Sequence, residues 1–148
     1  MTFKAKSTAK ATGVMTAMML SAGLVFGGAG TASAMGPMVE SMDQDVSSGT
    51  VTASKVMAGE NGWLVIHRTG KDMKPGPVIG YAPLKKGENM DVAAILQEPV
   101  KSGEMLMLMV HSEAGGMKTG VFEYTLGAKE DGPIKPDGKL VMKVVHAE

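Results

Sequence analysis

Three histidines, His67, His111 and His146, each stand at the end of an apolar run, and methionines crowd the second of these runs. Imidazole is the commonest metal ligand, and a thioether beside it suits copper. In an extended strand alternate side chains share a face. Met105, Met107, Met109 and His111 therefore project the same way, with the Met109 sulfur beside the His111 ring. If the strands simply alternate in direction, His111 and His146 end at one pole, where the strand carrying Met90 begins, and His67 ends at the other. A shared copper site would then use His111, His146 and Met109 or Met90, with His67 left out. The alternative is structural: rim histidines that only hydrogen-bond, and methionines that only fill the core.

Other chemistries find little support. The chain has no Cys, which removes thiolate metal sites, catalytic thiols and the Cys-His-Met centre of electron-transfer cupredoxins. Ser, His and Asp are all present, but no G-x-S-x-G element occurs, and the adjacency of His111 and Ser112 does not aim one at the other. Carboxylates are scattered among turns. The only glycine-rich run, Gly27-Gly28-Ala29-Gly30, lies near the N-terminus and makes no phosphate loop. The expectation is a non-enzymatic protein with no catalytic residue and no cofactor beyond possible copper.

The elements that must position these groups follow an export signal. Lys4, Lys6 and Lys10 precede an apolar stretch from Gly13 to Phe26, and small residues lead into Ala32-Ser33-Ala34. A positive start, a short apolar middle and an A-x-A end mark a secretory signal peptide. The stretch is diluted by Gly, Ser and Thr and falls short of the roughly 20 apolar residues of a membrane span. Cleavage after Ala34 removes 34 of 148 residues and leaves 114, one domain by length. Twelve basic residues remain (the 15 less three signal lysines) against all 15 acids, a net charge of about −3. That balance offers no basic footprint for nucleic acid. The expected location is the periplasm or the extracellular side, with no membrane span after cleavage. The partner would be an unidentified envelope protein or surface component.

Residues 35–48 read as a flexible lead-in, and residues 49–148 as the folded domain. Seven β-like runs follow: 50–57, 63–67, 78–82, 89–96, 105–111, 121–125 and 140–146. Glu60-Asn61-Gly62 is a hairpin signal, Pro75-Gly76-Pro77 a break, and Asp131-Gly132-Pro133 a turn. Residues 91–98 could instead form a short helix. The fifth run is apolar on both faces, as a central strand would be, and Trp63 reads as a core residue. Together these predict an all-β, antiparallel, seven-stranded sandwich of immunoglobulin-like or cupredoxin-like architecture.

Gly62-Trp-Leu-Val-Ile-His67, Val78-Ile-Gly-Tyr-Ala82, Gly87-Glu-Asn-Met-Asp-Val92, Met107-Leu-Met-Val-His111 and Asp131-Gly132-Pro133 occur in this order over nearly the whole domain. As a set they resemble an uncharacterised β-sandwich family of exported and surface proteins in halophilic archaea and some bacteria. The resemblance implies a secreted, often surface-attached module and brings no reaction with it. His67 and His111 fall within its motifs. The segment after His111 resembles one rich in Asp and Asn in the family, but residues 112–117 carry a single acid, Glu113. The functional expectation is a binding or structural module at the cell envelope; the alternative is a periplasmic copper-binding protein using His and Met ligands.

Overall fold

A computed structural model describes residues 35–148; the signal peptide expected over residues 1–34 lies outside them. Seven antiparallel strands form: β1 Met38–Glu40, β2 Thr50–Ala58, β3 Gly62–Thr69, β4 Val78–Leu84, β5 Gly87–Leu96, β6 Met105–Ser112 and β7 Met142–His146. Among the described residues the helical content is one 3-10 turn, Pro136–Gly138. The strands make one sheet in the order β1-β2-β5-β4-β3-β6-β7. Residues 91–96, where a helix was the rival expectation, continue β5.

The sheet curls nearly into a barrel because two seams bring its parts together. At one, β4 and β5 pair only through Gly80–Leu96 and Tyr81–Ile95. Gly80 is required there, since a Cβ would stand 2.7 Å from the Ile95 carbonyl oxygen. At the other, Gln44 bridges to Ala147. Its side chain takes both backbone groups of Thr52 on β2, while its own backbone bonds to His146 and Glu148. Between the two halves lies the main core. Val51 and Val56 come from β2, Leu64 and Ile66 from β3, Ile79 from β4, and Leu106, Leu108 and Val110 from β6.

β3 and β6 are buried on both faces, as the apolar run 105–111 predicts. One face supplies that core. The alternate residues Trp63, Val65, His67, Met107, Met109 and His111 are equally buried but face the opposite way. A long connection between β6 and β7 covers them.

The strand count of seven holds through one exchange. The lead-in supplies β1, which pairs with β2. Residues 121–125 are not a strand; they belong to the covering connection. Their period-two alternation arises because Phe122 and Tyr124 both turn down onto the sheet. β7 already occupies the free edge of β6, so no ladder position is left for them.

The Asn61-Gly62 pair does not close a hairpin either. β2 pairs with β1 and β5, never with β3, so the link crosses from one half to the other. Asn61 accepts a hydrogen bond from the Lys86 backbone N–H. Gly62 is the first residue of β3, and a Cβ there would collide with the His111 carbonyl oxygen. The glycine serves close approach rather than a turn. We expect Gly62→Ala to lower stability by about 2 kcal/mol, the usual cost of overpacking against backbone. Gly36→Ala, with nothing within 4 Å of the new Cβ, is expected to be nearly neutral. Equal urea midpoints for the two variants would contradict this account.

Candidate functional site

His67 and His111 meet on the covered face of the sheet. β3 and β6 run antiparallel, with Trp63 opposite His111, Val65 opposite Met109 and His67 opposite Met107. The two histidines therefore sit at opposite ends of this patch and lean toward each other above the Val65–Met109 pair. A bulge at Ile66/His67 places extra β4 backbone beside His67, a device that commonly re-aims a side chain. The imidazole Nε2 atoms stand 3.3 Å apart, and the rings are 0% and 1% exposed.

Each ring is held from behind by a backbone carbonyl. His67 Nδ1 lies 2.8 Å from the Gly76 oxygen. His111 Nδ1 lies 2.7 Å from the Asp131 oxygen. A carbonyl can only accept, so both Nδ1 atoms carry the proton. Gly76 reaches its place between two prolines by closing on Arg68. Its N–H donates to the Arg68 oxygen at 2.8 Å, and a Cβ there would come within 2.7 Å of that oxygen. Asp131 has a left-handed φ of 45° and is 1% exposed. Its carboxylate accepts from the backbone N–H groups of Ala114 and Glu123.

Aromatic rings close the roof. The Tyr124 ring meets His111 edge-on at 4.6 Å and His67 at 6.0 Å. Phe122 packs on Trp63 and Tyr81 at 5.5 and 4.3 Å. Trp63 is buried as expected, but in this outer cluster rather than the main core, and its indole N–H has no partner among the described residues.

Burial opposes charge on both rings. It pushes His111 down from its ordinary 6.5 to about 4, against the raising effect of its bond to Asp131, while the neighbouring His67 also lowers it. His67 is likewise lowered by burial, partly offset by its bond to Gly76. Near neutral pH both rings are uncharged with Nδ1–H fixed, so two Nε2 lone pairs face one another with no proton between them. A carbonyl behind each imidazole is the usual support of a metal-ligating histidine. The spacing fits as well: a tetrahedral ion with bonds of about 2.0–2.1 Å to nitrogen sets its ligand nitrogens about 3.3 Å apart.

Among the described residues no cluster of three or more His, Asp or Glu could hold a metal. The further donors on this face are the buried thioethers of Met107 and Met109. Of the 11 methionines after residue 34, these two alone are fully buried. The arrangement is a pair of convergent imidazoles on a buried, largely apolar face that also carries Met107 and Met109.

Of the residues named from the sequence, the structure brings His111, Met109 and His67 to this face and leaves His146 and Met90 away from it. Without a strand at 121–125, β6 and β7 become consecutive and antiparallel. His146 therefore pairs with Met105, at the far end of β6 from His111. It is half exposed and lies 3.4 Å from the Asp43 carboxylate. Met90 is 59% exposed on β5. His67 joins because side chains sharing a face can reach along it from opposite poles. Gly76, Asp131 and Tyr124 also serve the site, and their residue types alone do not mark them for it. Their signals were Pro75-Gly76-Pro77, Asp131-Gly132 and the aromatic alternation at 122 and 124.

The depressed histidines tie stability to pH. Above 6.5 they are neutral folded or unfolded. Below it the unfolded chain takes up protons that the native rings refuse, so stability falls until the native pKa is reached. For His111 that window runs from 6.5 to about 4, a loss of roughly 3 kcal/mol. Urea unfolding of the metal-free protein between pH 7.5 and 4 is expected to show it, and His111→Gln is expected to flatten the dependence. A wild-type stability that stays level across the window would refute the assignment.

No curated protein and no solved structure matches the chain. Residues 37–147, from just before β1 to just after β7, match a domain of unknown function, DUF7282. The curled seven-stranded sheet, the histidine pair and the cover all lie within this span, and the chain belongs to the DUF7282 family.

Proposed function

We propose that this chain is an exported, non-enzymatic module that binds one copper(I) ion between His67 and His111, with Met107 and Met109 as soft neighbouring donors. The observation that carries this reading is the pair of facing Nε2 atoms at 3.3 Å, each with its Nδ1 committed to a carbonyl.

Donor chemistry favours copper(I). Imidazole serves several first-row metals, whereas thioether is a soft ligand that selects copper(I). Magnesium and calcium want oxygen ligands, and among the described residues no cluster of carboxylates gathers at this face. The tripartite segment at residues 1–34 supports export, and the motifs shared with secreted and surface-attached modules support a place at the envelope. The loops at the ends of the sheet are where contacts with an envelope partner would form.

Anaerobic titration with copper(I) against a chromophoric chelator tests the reading. One ion per chain is expected, bound far more tightly than micromolar. Affinity is expected to fall at least 100-fold in His67→Ala and in His111→Ala, and to stay within twofold in His146→Ala and Met90→Ala. Met109→Leu, which keeps the volume and removes the sulfur, is expected to weaken copper(I) more than zinc(II). Binding no tighter than micromolar, or binding indifferent to His111→Ala, would rule the site out.

A further inference from the structure

Neither histidine reaches solvent, so whatever binds between them must enter through the cover. Residues 113–131 form that cover, and their attachments are unusual. Among the described residues, every hydrogen bond made by residues 113–130 stays within the segment or ends on Asp131. Gly120 donates to Glu113, Lys118 to Glu123, Gly127 to the Tyr124 hydroxyl, and Ala128 to Thr125. No strand holds this segment by a ladder bond. Its grip on the sheet consists of Phe122 and Tyr124, packed against Trp63, Tyr81 and the two histidines.

Asp131 gathers the whole segment. One carboxylate oxygen takes the N–H of Ala114 and the other takes that of Glu123, and the Asp131 N–H donates to the Ala114 oxygen. Its carbonyl meanwhile fixes the His111 tautomer. Just beyond, Ser112 clasps the Gly132 oxygen through its N–H and its hydroxyl, which pins the foot of the segment. Gly115, Gly120 and Gly127 have φ of 81°, 79° and 86°, so the chain bends at several points. A cleft of about 350 Å³, lined by Pro77, Val78, Tyr81, Phe122, Tyr124 and Leu126, runs along the cover's edge.

We infer that residues 113–130 are a lid over the histidine pair and that Asp131, fixed beside the Ser112–Gly132 foot, is its latch, one residue that both holds the lid shut and orients a ligand ring beneath it. The lid swings on its Ser112–Gly132 foot, lifts Phe122 and Tyr124 away, and exposes both Nε2 atoms while the sheet stays intact. A local opening of this kind needs less free energy than global unfolding, because few strand contacts are broken. Its functional meaning rests on the copper reading; its motion does not.

Diethyl pyrocarbonate, which acylates neutral imidazole nitrogen, reads the motion on the metal-free full chain. His146 is half exposed and serves as an internal reference. In the wild type it is expected to react at least 100-fold faster than His67 and His111, as resolved by peptide mass spectrometry. Asp131→Asn tolerates the left-handed backbone but puts a donor where Ala114 or Glu123 needs an acceptor. It is expected to speed both buried histidines at least tenfold, with the His146 rate and the far-UV circular dichroism unchanged. In the wild type, the buried-site rates are expected to rise less steeply with urea than global unfolding does, which keeps the test decisive even if the variant unfolds. Rates that track only global unfolding, or that ignore Asp131→Asn, would overturn the lid. If the chain binds copper(I), its release to bathocuproine is expected to quicken in Asp131→Asn by the same factor. A lid that opens in a chain without copper affinity would defeat the copper reading alone.

Discussion

Two backbone carbonyls, those of Gly76 and Asp131, decide what the buried imidazoles can be. Each accepts a hydrogen bond from one Nδ1–H, and neither can donate one in return. Without that constraint, one ring could turn its N–H toward the other and the pair would be an ordinary buried hydrogen bond. With it, the two Nε2 atoms are acceptors facing acceptors. A buried polar atom without a partner is costly, and two such atoms stand 3.3 Å apart here. A proton is disfavoured by the burial that depresses both pKa values.

The rest of the fold follows from having to bury β3 and β6 twice. Their inner faces pack between the halves of the curled sheet. Their outer faces carry Trp63, Val65, His67, Met107, Met109 and His111, and sheet alone does not cover them. A connection of nearly thirty residues between β6 and β7 is long for a two-strand link, and here it becomes the second layer. The seams at Gly80 and Gln44 let seven short strands enclose a core without a disulfide, in a chain that has no cysteine.

Much of the frame was legible in the sequence, and the places where it was not share a cause. Strands 50–58, 78–84 and 105–112 announce themselves by β-branched and apolar runs between turn residues. The doubly apolar run at 105–111 marked a strand buried on both faces and paired on both sides, although it lies next to the sheet's edge rather than at its centre. Alternation at 121–125 misled because an aromatic cover segment facing a sheet copies the period of a strand. That one substitution reversed the direction of β7 relative to β6 and moved His146 to the wrong pole. Asn61-Gly62 misled because a glycine selected for close approach to His111 looks the same in sequence as one selected for a turn. The site itself was half visible. His111 and Met109 declared themselves by spacing on one strand, whereas His67 needed the pairing of β3 with β6. The carbonyls of Gly76 and Asp131 leave no trace in side-chain chemistry at all.

The cover makes no ladder bond to the strands, and that separates the domain into a frame and a replaceable face. Lengthening a loop costs little free energy when its ends are already held together, and Ser112 and Gly132 hold them here. Residues between Gly115 and Lys129 other than Phe122, Glu123 and Tyr124 can thus be inserted, deleted or exchanged without shifting the register of any strand. The histidine pair would remain where the sheet puts it. What reaches it, and how fast, would be rewritten in a stretch that the frame constrains chiefly at Phe122, Glu123 and Tyr124.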